Sequence, residues 1–231
     1  MTKDYLASII DHTLLKPNAT AKDVDHLLEE AVMYHFGTVC IRPCDLRYVH
    51  HNLEGTGVKT CTVLGFPWGI QSIENKVKEA YAAVRDGADE LDIVINRGYL
   101  KGGRHDLSKK ELNDIVIRVN ENIVIKAILE TCELTEEEIK TACKIAEESG
   151  VDYVKTSTGL YEGATVKAVK LMHKTVPNLG VKASGGIKDW ETAYKMIKAG
   201  ATRIGTSSSV KILSEYMKKF PSEQAEEHKV D

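Results

Sequence analysis

Residues 123–157 have the sequence IVIKAILETCELTEEEIKTACKIAEESGVDYVKTS, which carries the clearest indication of the fold. The stretch starts with a short β-branched run, continues with an amphipathic run from Thr135 to Gly150, and returns to a short β-branched run at 152–157. Thr135 and Glu138 have the spacing of a helix capping box, and Gly150 is a typical helix stop. The pattern predicts a strand, a helix and a second, parallel strand, which together form a βαβ unit.

The same alternation runs along the whole chain. Eight strand-like runs lie at 9–15, 38–41, 59–66, 90–95, 123–130, 152–157, 180–184 and 203–207. Helical runs lie between them at 20–35, 45–53, 72–87, 106–122, 135–150, 162–176 and 189–200, and a last helix is predicted to begin near Ser208. Eight such units in 231 residues predict an α/β fold, a single (β/α)₈ TIM barrel.

An open doubly wound sheet is the alternative fold. Such a sheet usually has a glycine-rich loop after its first strand, whereas KPNAT (16–20) follows the first strand here. No linker divides the chain. We therefore predict one catalytic barrel domain over residues 1–220 and a polar C-terminal tail over residues 221–231.

Composition limits the classes of partner. The chain is 42% hydrophobic and 28% charged, with a net charge of −3 and interleaved acids and bases, so we expect a globular protein that binds no nucleic acid. No apolar run approaches the roughly 20 residues of a membrane helix, and the start MTKDYLASII lacks the apolar region of a signal peptide. The cysteine count is 5, and an odd number favours free thiols in a reducing cytoplasm. We expect neither a metal nor a cofactor.

Polar residues interrupt the predicted strands or follow them, where barrel enzymes place their active sites. They are Asp11, Thr13, Cys40, Asp92, Asn96, Lys126, Lys155, Lys182 and Ser207. Lysines occur on the fifth, sixth and seventh strands, and adjacent strands lie about 4.8 Å apart, so the three amines can converge.

Clustered, buried lysines favour imine chemistry. Burial and a neighbouring cation both favour the neutral amine, and a neutral lysine forms a Schiff base with a carbonyl compound. Asp92 is a candidate for proton transfer. Lys126 taken alone is better explained by pairing with a carboxylate or by reaching solvent. Asp92 taken alone is explained equally well by structural hydrogen bonding. Lys155 and Lys182 together favour catalysis, because each precedes a turn of small residues. Spacing leaves open which lysine is the nucleophile.

Small-residue turns follow the last three strands. They contain Thr158-Gly159, Ser184-Gly185-Gly186 and Gly205-Thr206-Ser207-Ser208. Glycines let the backbone approach a ligand, and free N–H groups at helix starts favour an anion. Each turn alone is compatible with an ordinary connection, but three at neighbouring strand ends predict a phosphate site.

Eight motifs in order resemble those of the deoxyribose-phosphate aldolase family. They are IDHTLLKP (10–17), CIRP (40–43), GFPWG (65–69), GADELDIVIN (87–96), KAILET (126–131), VKTSTG (154–159), VKASGGI (181–187) and RIGTSS (203–208). The resemblance implies a class I aldolase on a (β/α)₈ barrel. Such an enzyme reversibly cleaves 2-deoxy-D-ribose 5-phosphate to D-glyceraldehyde 3-phosphate and acetaldehyde without a metal, in deoxyribonucleotide catabolism.

The resemblance also implies roles for single residues. Lys155 matches the Schiff-base lysine, Lys182 the lysine that lowers its pKa and joins proton transfer, and Asp92 the proton donor and acceptor. Thr13 and Cys40 match positions near the site. The phosphate-binding turns are matched by Gly159, Gly185, Gly186, Gly205, Ser207 and Ser208. We also expect a homo-oligomer, a dimer or larger, although the apolar face of 162–176 could serve either a dimer or only the barrel.

Two positions depart from the pattern of some family members. Leu160 stands where those members have a phosphate-binding lysine, and Lys188 is the candidate to supply that charge instead. No tyrosine follows Tyr216, whereas some members carry a tyrosine in the tail that assists proton transfer. Two other functions stay open at this point: another phosphosugar aldolase or isomerase on the same fold, and a non-catalytic barrel that binds a partner and forms no imine.

Overall fold

The computed structural model describes residues 1–119 and 122–221. Eight parallel strands form a closed barrel in chain order, and β8 pairs with β1. The strands are β1 (Ile10–Leu14), β2 (Thr38–Ile41), β3 (Lys59–Leu64), β4 (Glu90–Val94), β5 (Val124–Ile128), β6 (Tyr153–Lys155), β7 (Gly180–Ser184) and β8 (Arg203–Thr206). The predicted (β/α)₈ barrel is confirmed, and the pairing of β8 with β1 excludes an open sheet.

Helices surround the barrel. They are α1 (Lys3–Ser8), α2 (Ala21–Met33), α3 (Leu46–Leu53), α4 (Ile73–Arg85), α5 (Arg97–Lys101), α6 (His105–Arg118), α7 (Glu136–Glu148), α8 (Val166–Thr175), α9 (Trp190–Lys198) and α10 (Ser209–Lys219), with short 3₁₀ helices at Pro43–Asp45 and Thr131–Glu133. None of these helices, within the part of the chain that the structure describes, has the length and apolar composition to cross a membrane.

Two helices begin at the residues that the sequence predicted, because the predicted side-chain caps are present. Thr135 accepts a hydrogen bond from the Glu138 N–H at 3.3 Å, and the Glu138 carboxylate accepts one from the Thr135 N–H at 2.8 Å. Ser72 caps α4 by accepting from the Asn75 N–H at 3.3 Å. These bonds satisfy N–H groups that have no partner within the helix, which is why α4 and α7 begin where the sequence predicts.

The start of α8 differs from the prediction. The sequence suggested a helix from residue 162, but α8 begins at Val166, with Thr165 as its cap. The preceding residues are held elsewhere, because the Ala164 N–H donates to the carbonyl oxygens of Ser184 and Gly185 at 3.0 and 3.1 Å. Residues 159–165 therefore form a loop over the end of β7.

Other boundaries shift as well. β3 ends at Leu64, before the predicted 66, because Gly65 has a φ of 61°. Helices α1 and α5 were not predicted. The helix predicted over 106–122 ends at Arg118, and residues 120 and 121 lie outside the described residues. The polar tail likewise falls outside them from residue 222, so that boundary stays a prediction.

Strand alternation separates two kinds of interior. Leu91 and Ile93 of β4 are fully buried and belong to the apolar core between the barrel and its helices. Glu90 and Asp92 alternate with them and are buried inside the barrel. Branched apolar side chains usually fill the interior of such barrels, so the charged filling here identifies a specialised region.

Candidate active site

Three lysines meet one carboxylate inside the barrel. Strand register places Asp92 of β4 beside Lys126 of β5, and Lys155 of β6 beside Lys182 of β7. Lys155 Nζ and Lys182 Nζ donate to the same oxygen, Asp92 Oδ2, at 2.7 and 2.6 Å. Lys126 Nζ donates to the other oxygen, Asp92 Oδ1, at 2.8 Å. The convergence predicted for the three amines is therefore present.

Further ionic groups lie on the side of this cluster away from Lys155. Lys182 forms an ion pair with Asp11, and Lys126 lies 2.5 Å from Glu90 Oε2. Arg203 bridges the two acids, at 3.0 Å from Asp11 and 3.1 Å from Glu90. Sequence reasoning gave Asp11 no role and missed Glu90 and Arg203. Glu90 could have been found, since it stands two residues before Asp92 and so faces the same side of the strand.

The surroundings fix the charge of two of these groups. Burial alone would favour a neutral Asp92, but the three lysines outweigh burial and hold the pKa of this carboxyl well below its ordinary value. Burial alone would also favour a neutral amine at Lys182, but the carboxylates of Asp11 and Asp92 raise the pKa of Lys182 above its ordinary value. At neutral pH, Asp92 is therefore a carboxylate and Lys182 an ammonium ion.

A cavity of about 320 Å³ opens at the carboxyl ends of the strands. Of the three barrel lysines, only Lys155 contributes to its wall; Lys126 and Lys182 lie beneath. The wall is formed by Thr13, Leu14, Leu15, Lys16, Pro17, Phe66, Lys155, Thr158, Gly159, Leu160, Ser184, Gly185, Gly186, Ile187, Lys188, Gly205, Thr206 and Ser207. A molecule in the cavity would therefore meet one of the three barrel amines, the side chains of Lys16 and Lys188, and three small-residue turns.

The predicted turns lie side by side on one wall. Gly159, Gly185 and Gly186 have φ values of 89°, 82° and 74°, a region that favours glycine. Within residues 1–119 and 122–221, their backbone N–H groups and that of Ser207 have no hydrogen-bond acceptor. Four free N–H groups on one wall can bind an anion.

Two other predicted anion-binding residues have different surroundings. A Cβ atom at Gly205 would lie 3.0 Å from Lys182 Cε, so this glycine leaves room for the Lys182 side chain. Ser208 does not line the cavity, and its N–H donates to the Thr206 hydroxyl at 2.9 Å. Ser208 thus precedes α10 and is set back from the wall that Ser207 joins.

The remaining predicted residues divide between the wall and the interior. Thr13 lines the cavity, and its hydroxyl donates to the Asp11 carbonyl oxygen at 2.8 Å. Cys40 is fully buried in a small cluster with Cys61 and Val63, which packs against Leu15 of the wall. Lys188 lies at the cavity, as does Lys16, which sequence reasoning did not select.

Leu160 reaches the same wall and is 60% exposed. This apolar side chain stands where some family members have a lysine.

Two groups of side chains have the spacing of metal ligands, but a lysine lies beside them. One group is Cys40, Cys61 and Asp92, and the other is Asp11, Cys61 and Glu90. Lys126 Nζ lies 3.4 Å from Cys61 Sγ and 2.8 Å from Asp92 Oδ1, so its ammonium group already supplies a positive charge there.

Glu130 supports one of the turns of the cavity wall, and sequence reasoning did not select it. It follows β5, is fully buried, and has a φ of 57°. A left-handed glutamate is uncommon, and such strained positions cluster at functional sites. Its carboxylate accepts two hydrogen bonds from Thr158, in the turn after Lys155.

The fold and this cluster define a class of barrel with a buried amine in the wall of a cavity whose free backbone N–H groups can bind an anion. The model of the DeoC/LacD family of aldolases matches residues 5–215. A deoxyribose-phosphate aldolase of Caldanaerobacter subterraneus subsp. tengcongensis is 52% identical over 217 residues, covering 92% of this chain and 94% of that protein. One from Clostridium kluyveri is 50% identical over 216 residues, covering 93% and 99%.

A solved structure agrees. The tetrameric deoxyribose phosphate aldolase of Aeropyrum pernix is 36% identical with a TM-score of 0.87, covering 93% of this chain and 92% of that one. The chain belongs to the DeoC/LacD family of aldolases. It is therefore a carbon–carbon lyase, as the resemblance predicted.

Proposed function

We propose that the chain is a class I deoxyribose-phosphate aldolase that reversibly cleaves 2-deoxy-D-ribose 5-phosphate to D-glyceraldehyde 3-phosphate and acetaldehyde, with Lys155 forming the Schiff base. The single observation that carries the assignment of the nucleophile is that Lys155 lines the cavity while it shares Asp92 Oδ2 with Lys182. The relatives that are about half identical to this chain carry the name of the same activity.

The proposed reaction starts on the open-chain aldehyde. The lone pair of the neutral Lys155 amine attacks C1, and loss of water leaves an iminium ion. The C2–C3 bond then breaks, and its electron pair moves to the iminium nitrogen, which gives an enamine of acetaldehyde. The C3 hydroxyl loses its proton in the same step and becomes the aldehyde of D-glyceraldehyde 3-phosphate.

Asp92 and Lys182 share the proton transfers in this proposal. In the free enzyme, Lys155 Nζ donates a hydrogen bond to Asp92 Oδ2. Imine formation leaves a single hydrogen on this nitrogen, so Asp92 Oδ2 can instead accept the C3 hydroxyl proton through a water molecule. Lys182, held as an ammonium ion, is placed to return a proton to the enamine carbon. Water then hydrolyses the second iminium ion, which releases acetaldehyde and the free amine of Lys155.

The phosphate group is assigned to the turns after β6, β7 and β8. The free N–H groups of Gly159, Gly185, Gly186 and Ser207 line one wall of the cavity. Lys188 and Lys16 at the same cavity supply the positive charge that Leu160 does not. Phosphate at this wall would direct the other end of the substrate toward Lys155.

The setting of the enzyme is also part of the proposal. The five cysteines are free thiols, which supports a cytoplasmic location and a role in deoxyribose catabolism; they are Cys40, Cys44, Cys61, Cys132 and Cys143.

A homo-oligomer is supported by the tetramer named for the relative of Aeropyrum pernix. The apolar residues of α8 are buried within the monomer, so an interface would use other surfaces, such as that around Ile117, which is 74% exposed. Sedimentation measures the assembly.

Borohydride trapping tests the nucleophile. The protein is incubated with acetaldehyde and sodium borohydride, digested, and mapped by mass spectrometry. We expect an ethyl group on the peptide that carries Lys155 and none on that peptide in Lys155→Met. A principal adduct on Lys126 or Lys182, or no adduct in an active enzyme, would overturn the assignment. Cleavage of deoxyribose 5-phosphate is measured in parallel, with unphosphorylated deoxyribose as the comparison for the phosphate site.

A further inference from the structure

Seven charged side chains form one buried ionic cluster in the barrel. The members are Asp11, Glu90, Asp92, Lys126, Lys155, Lys182 and Arg203. The most exposed is Arg203, at 14% of its side chain. Water therefore screens these charges poorly, and each group responds to the net charge of the others.

The cluster has one positive charge in excess when every group is ionised, because it has four cationic side chains and three carboxylates. An excess charge in a buried site is costly, and a lysine can remove it by losing a proton. Loss of one proton leaves three cations and three carboxylates.

The contacts indicate which group gives up its proton. Lys182 is paired with Asp11 and Asp92, and Arg203 with Asp11 and Glu90. Lys126 is paired with Glu90 and Asp92 and lies 3.8 Å from Asp11, so each of these cations has at least two acids. The amine of Lys155 has one acid, Asp92, and shares the contacted oxygen with Lys182. Deprotonation of Lys155 therefore breaks the fewest ion pairs.

Other titratable groups also face this cluster. Cys40 of β2 and Cys61 of β3 are buried thiols beside it, and Tyr153 of β6 lies against Arg203. The hydrogen bond from Cys61 lowers the pKa of Cys40, although burial opposes that effect, and burial raises the pKa of Cys61 well above its ordinary value. These groups are present in the wild type and in every variant. A change in their ionisation would oppose the removed charge, which reduces the size of a shift without reversing its direction.

We propose that Arg203 and Glu90, which are not among the residues lining the cavity, are positioning residues that fix the net charge of the buried ionic cluster and thereby the pH at which the Lys155 amine becomes available as a nucleophile. The proposal rests on the function proposed above, and it adds residues that do not contact Lys155 and act on it only through other members of the cluster. Arg203 reaches Lys155 through Asp11, Lys182 and Asp92. Glu90 reaches it through Lys126 and Asp92.

The two residues have effects of opposite sign. Arg203→Met removes a cation, so the cluster is neutral while Lys155 is charged and negative once Lys155 loses its proton. The pH at half-maximal imine formation should then rise. Glu90→Gln removes an acid, so a charged Lys155 raises the excess from one to two positive charges, and the same midpoint should fall. Each shift is expected to be on the order of one pH unit, as for one unit charge acting within a poorly screened site.

The experiment measures borohydride trapping of acetaldehyde on Lys155 as a function of pH in the full-length protein. The wild type, Arg203→Met, Glu90→Gln and the double variant are compared at matched acetaldehyde concentration, with each yield scaled to its own maximum. We expect opposite shifts in the single variants and a midpoint close to wild type in the double variant, which restores the original charge difference. A purely structural role would lower the yield without opposite shifts.

Two further variants keep the test decisive if a protein is weakened. Arg203→Lys keeps the charge and loses the double-headed contact, so its midpoint should stay at the wild-type value. Glu111→Gln removes a buried carboxylate that pairs with Lys76 at 2.6 Å outside the cluster, and it should leave the midpoint unchanged. Shifts of the midpoint in the same direction for Arg203→Met and Glu90→Gln, or no shift in either variant, would overturn the proposal. No adduct in the wild type would instead reject the proposed function.

Discussion

Glu130 and Thr158 are joined by two hydrogen bonds that end on a single oxygen. Glu130 Oε2 accepts from the Thr158 N–H at 3.1 Å and from the Thr158 hydroxyl at 2.5 Å. The Thr158 hydroxyl in turn accepts from the Leu160 N–H at 3.3 Å. The donors on either side of Gly159 are thus occupied, and the N–H of Gly159 is the one that this turn presents to the cavity.

Replacement of Glu130 should weaken phosphate binding. Glu130→Ala leaves two buried donors without an acceptor, so we expect a loss of about 1–3 kcal/mol in the free energy of unfolding and a higher KM for deoxyribose 5-phosphate. Glu130→Gly should lose less stability, because glycine adopts the left-handed conformation freely, yet raise KM equally. Urea unfolding and steady-state kinetics measure both effects.

A neighbouring variant provides the control for Glu130. Glu162 is exposed in the loop after β6, and Glu162→Gln should change neither stability nor KM. Equal effects on phosphorylated and unphosphorylated deoxyribose in Glu130→Gly would mean that the carboxylate supports the fold and does not organise the turn.

Lys182→Met should shift catalysis to higher pH. The substitution removes an ammonium group that shares Asp92 Oδ2 with Lys155, so a charged Lys155 is less disfavoured and imine formation needs a higher pH. Loss of the proposed proton donor should also lower kcat by about 100-fold or more. The pH profile of kcat/KM checks the first effect and single-turnover cleavage the second. A profile with unchanged midpoints would reject the electrostatic role.

Asp92→Asn should change stability and its dependence on pH. The folded pKa of Asp92 lies below the unfolded value of about 3.9, so the unfolded chain binds more protons and stability rises with pH through this range. That contribution is present above the unfolded pKa and is lost as the pH falls through the folded pKa.

The variant lacks this contribution, leaves Lys155 without the acid that it contacts, and takes one acid each from Lys126 and Lys182. We therefore expect a loss of about 3–5 kcal/mol at neutral pH. Its stability should also fall less steeply in acid. Part of the slope remains, because the cations around Asp11 outweigh its burial and lower the pKa of that carboxyl too. Urea unfolding between pH 3 and pH 7 tests this, and an unchanged acid limb would contradict it.

Leu160→Lys should improve the binding of phosphorylated substrate. The side chain lines the cavity and is 60% exposed, so an ammonium group there can reach the phosphate without a large desolvation cost. We expect KM for deoxyribose 5-phosphate to fall by about two- to fivefold, which corresponds to the free energy of an exposed ion pair, and the gain in affinity to shrink with added salt.

Tyr161→Lys is the control, because it adds the same charge at a residue that is 46% exposed and does not line the cavity. An equal gain in that control would indicate a general effect of charge.

The barrel and its central lysines were predictable because both depend on simple periods. Strand and helix lengths alternate regularly, and the end of each strand lies on the same side of a parallel barrel. Lys126, Lys155 and Lys182 could therefore be brought together from sequence alone. Their separate placement could not, because whether an amine lines a cavity or lies beneath it depends on strand stagger and on neighbours such as Gly205.

The outer part of the ionic cluster was harder to predict for a different reason. Arg203 begins β8, where a charged residue usually faces solvent, and nothing local indicates that it contacts Asp11 from the other end of the chain. Glu130 depends on an unusual backbone conformation that its residue type does not favour. Residues 162–165 were assigned to the following helix because their composition is compatible with one. The hydrogen bonds of Ala164 to the end of β7 place them in a loop instead.

Closure of the barrel by β1 and β8 affects how the enzyme is made. Asp11 stands on the first strand and Arg203 on the last, so the charges around Lys155 are complete only after nearly the whole chain has left the ribosome. A nascent chain that ends after β6 already carries the reactive lysine but has neither Lys182 nor Arg203. We therefore expect the Lys155 amine of such a nascent chain to react with aldehydes as an ordinary lysine does until β7 and β8 have joined the barrel.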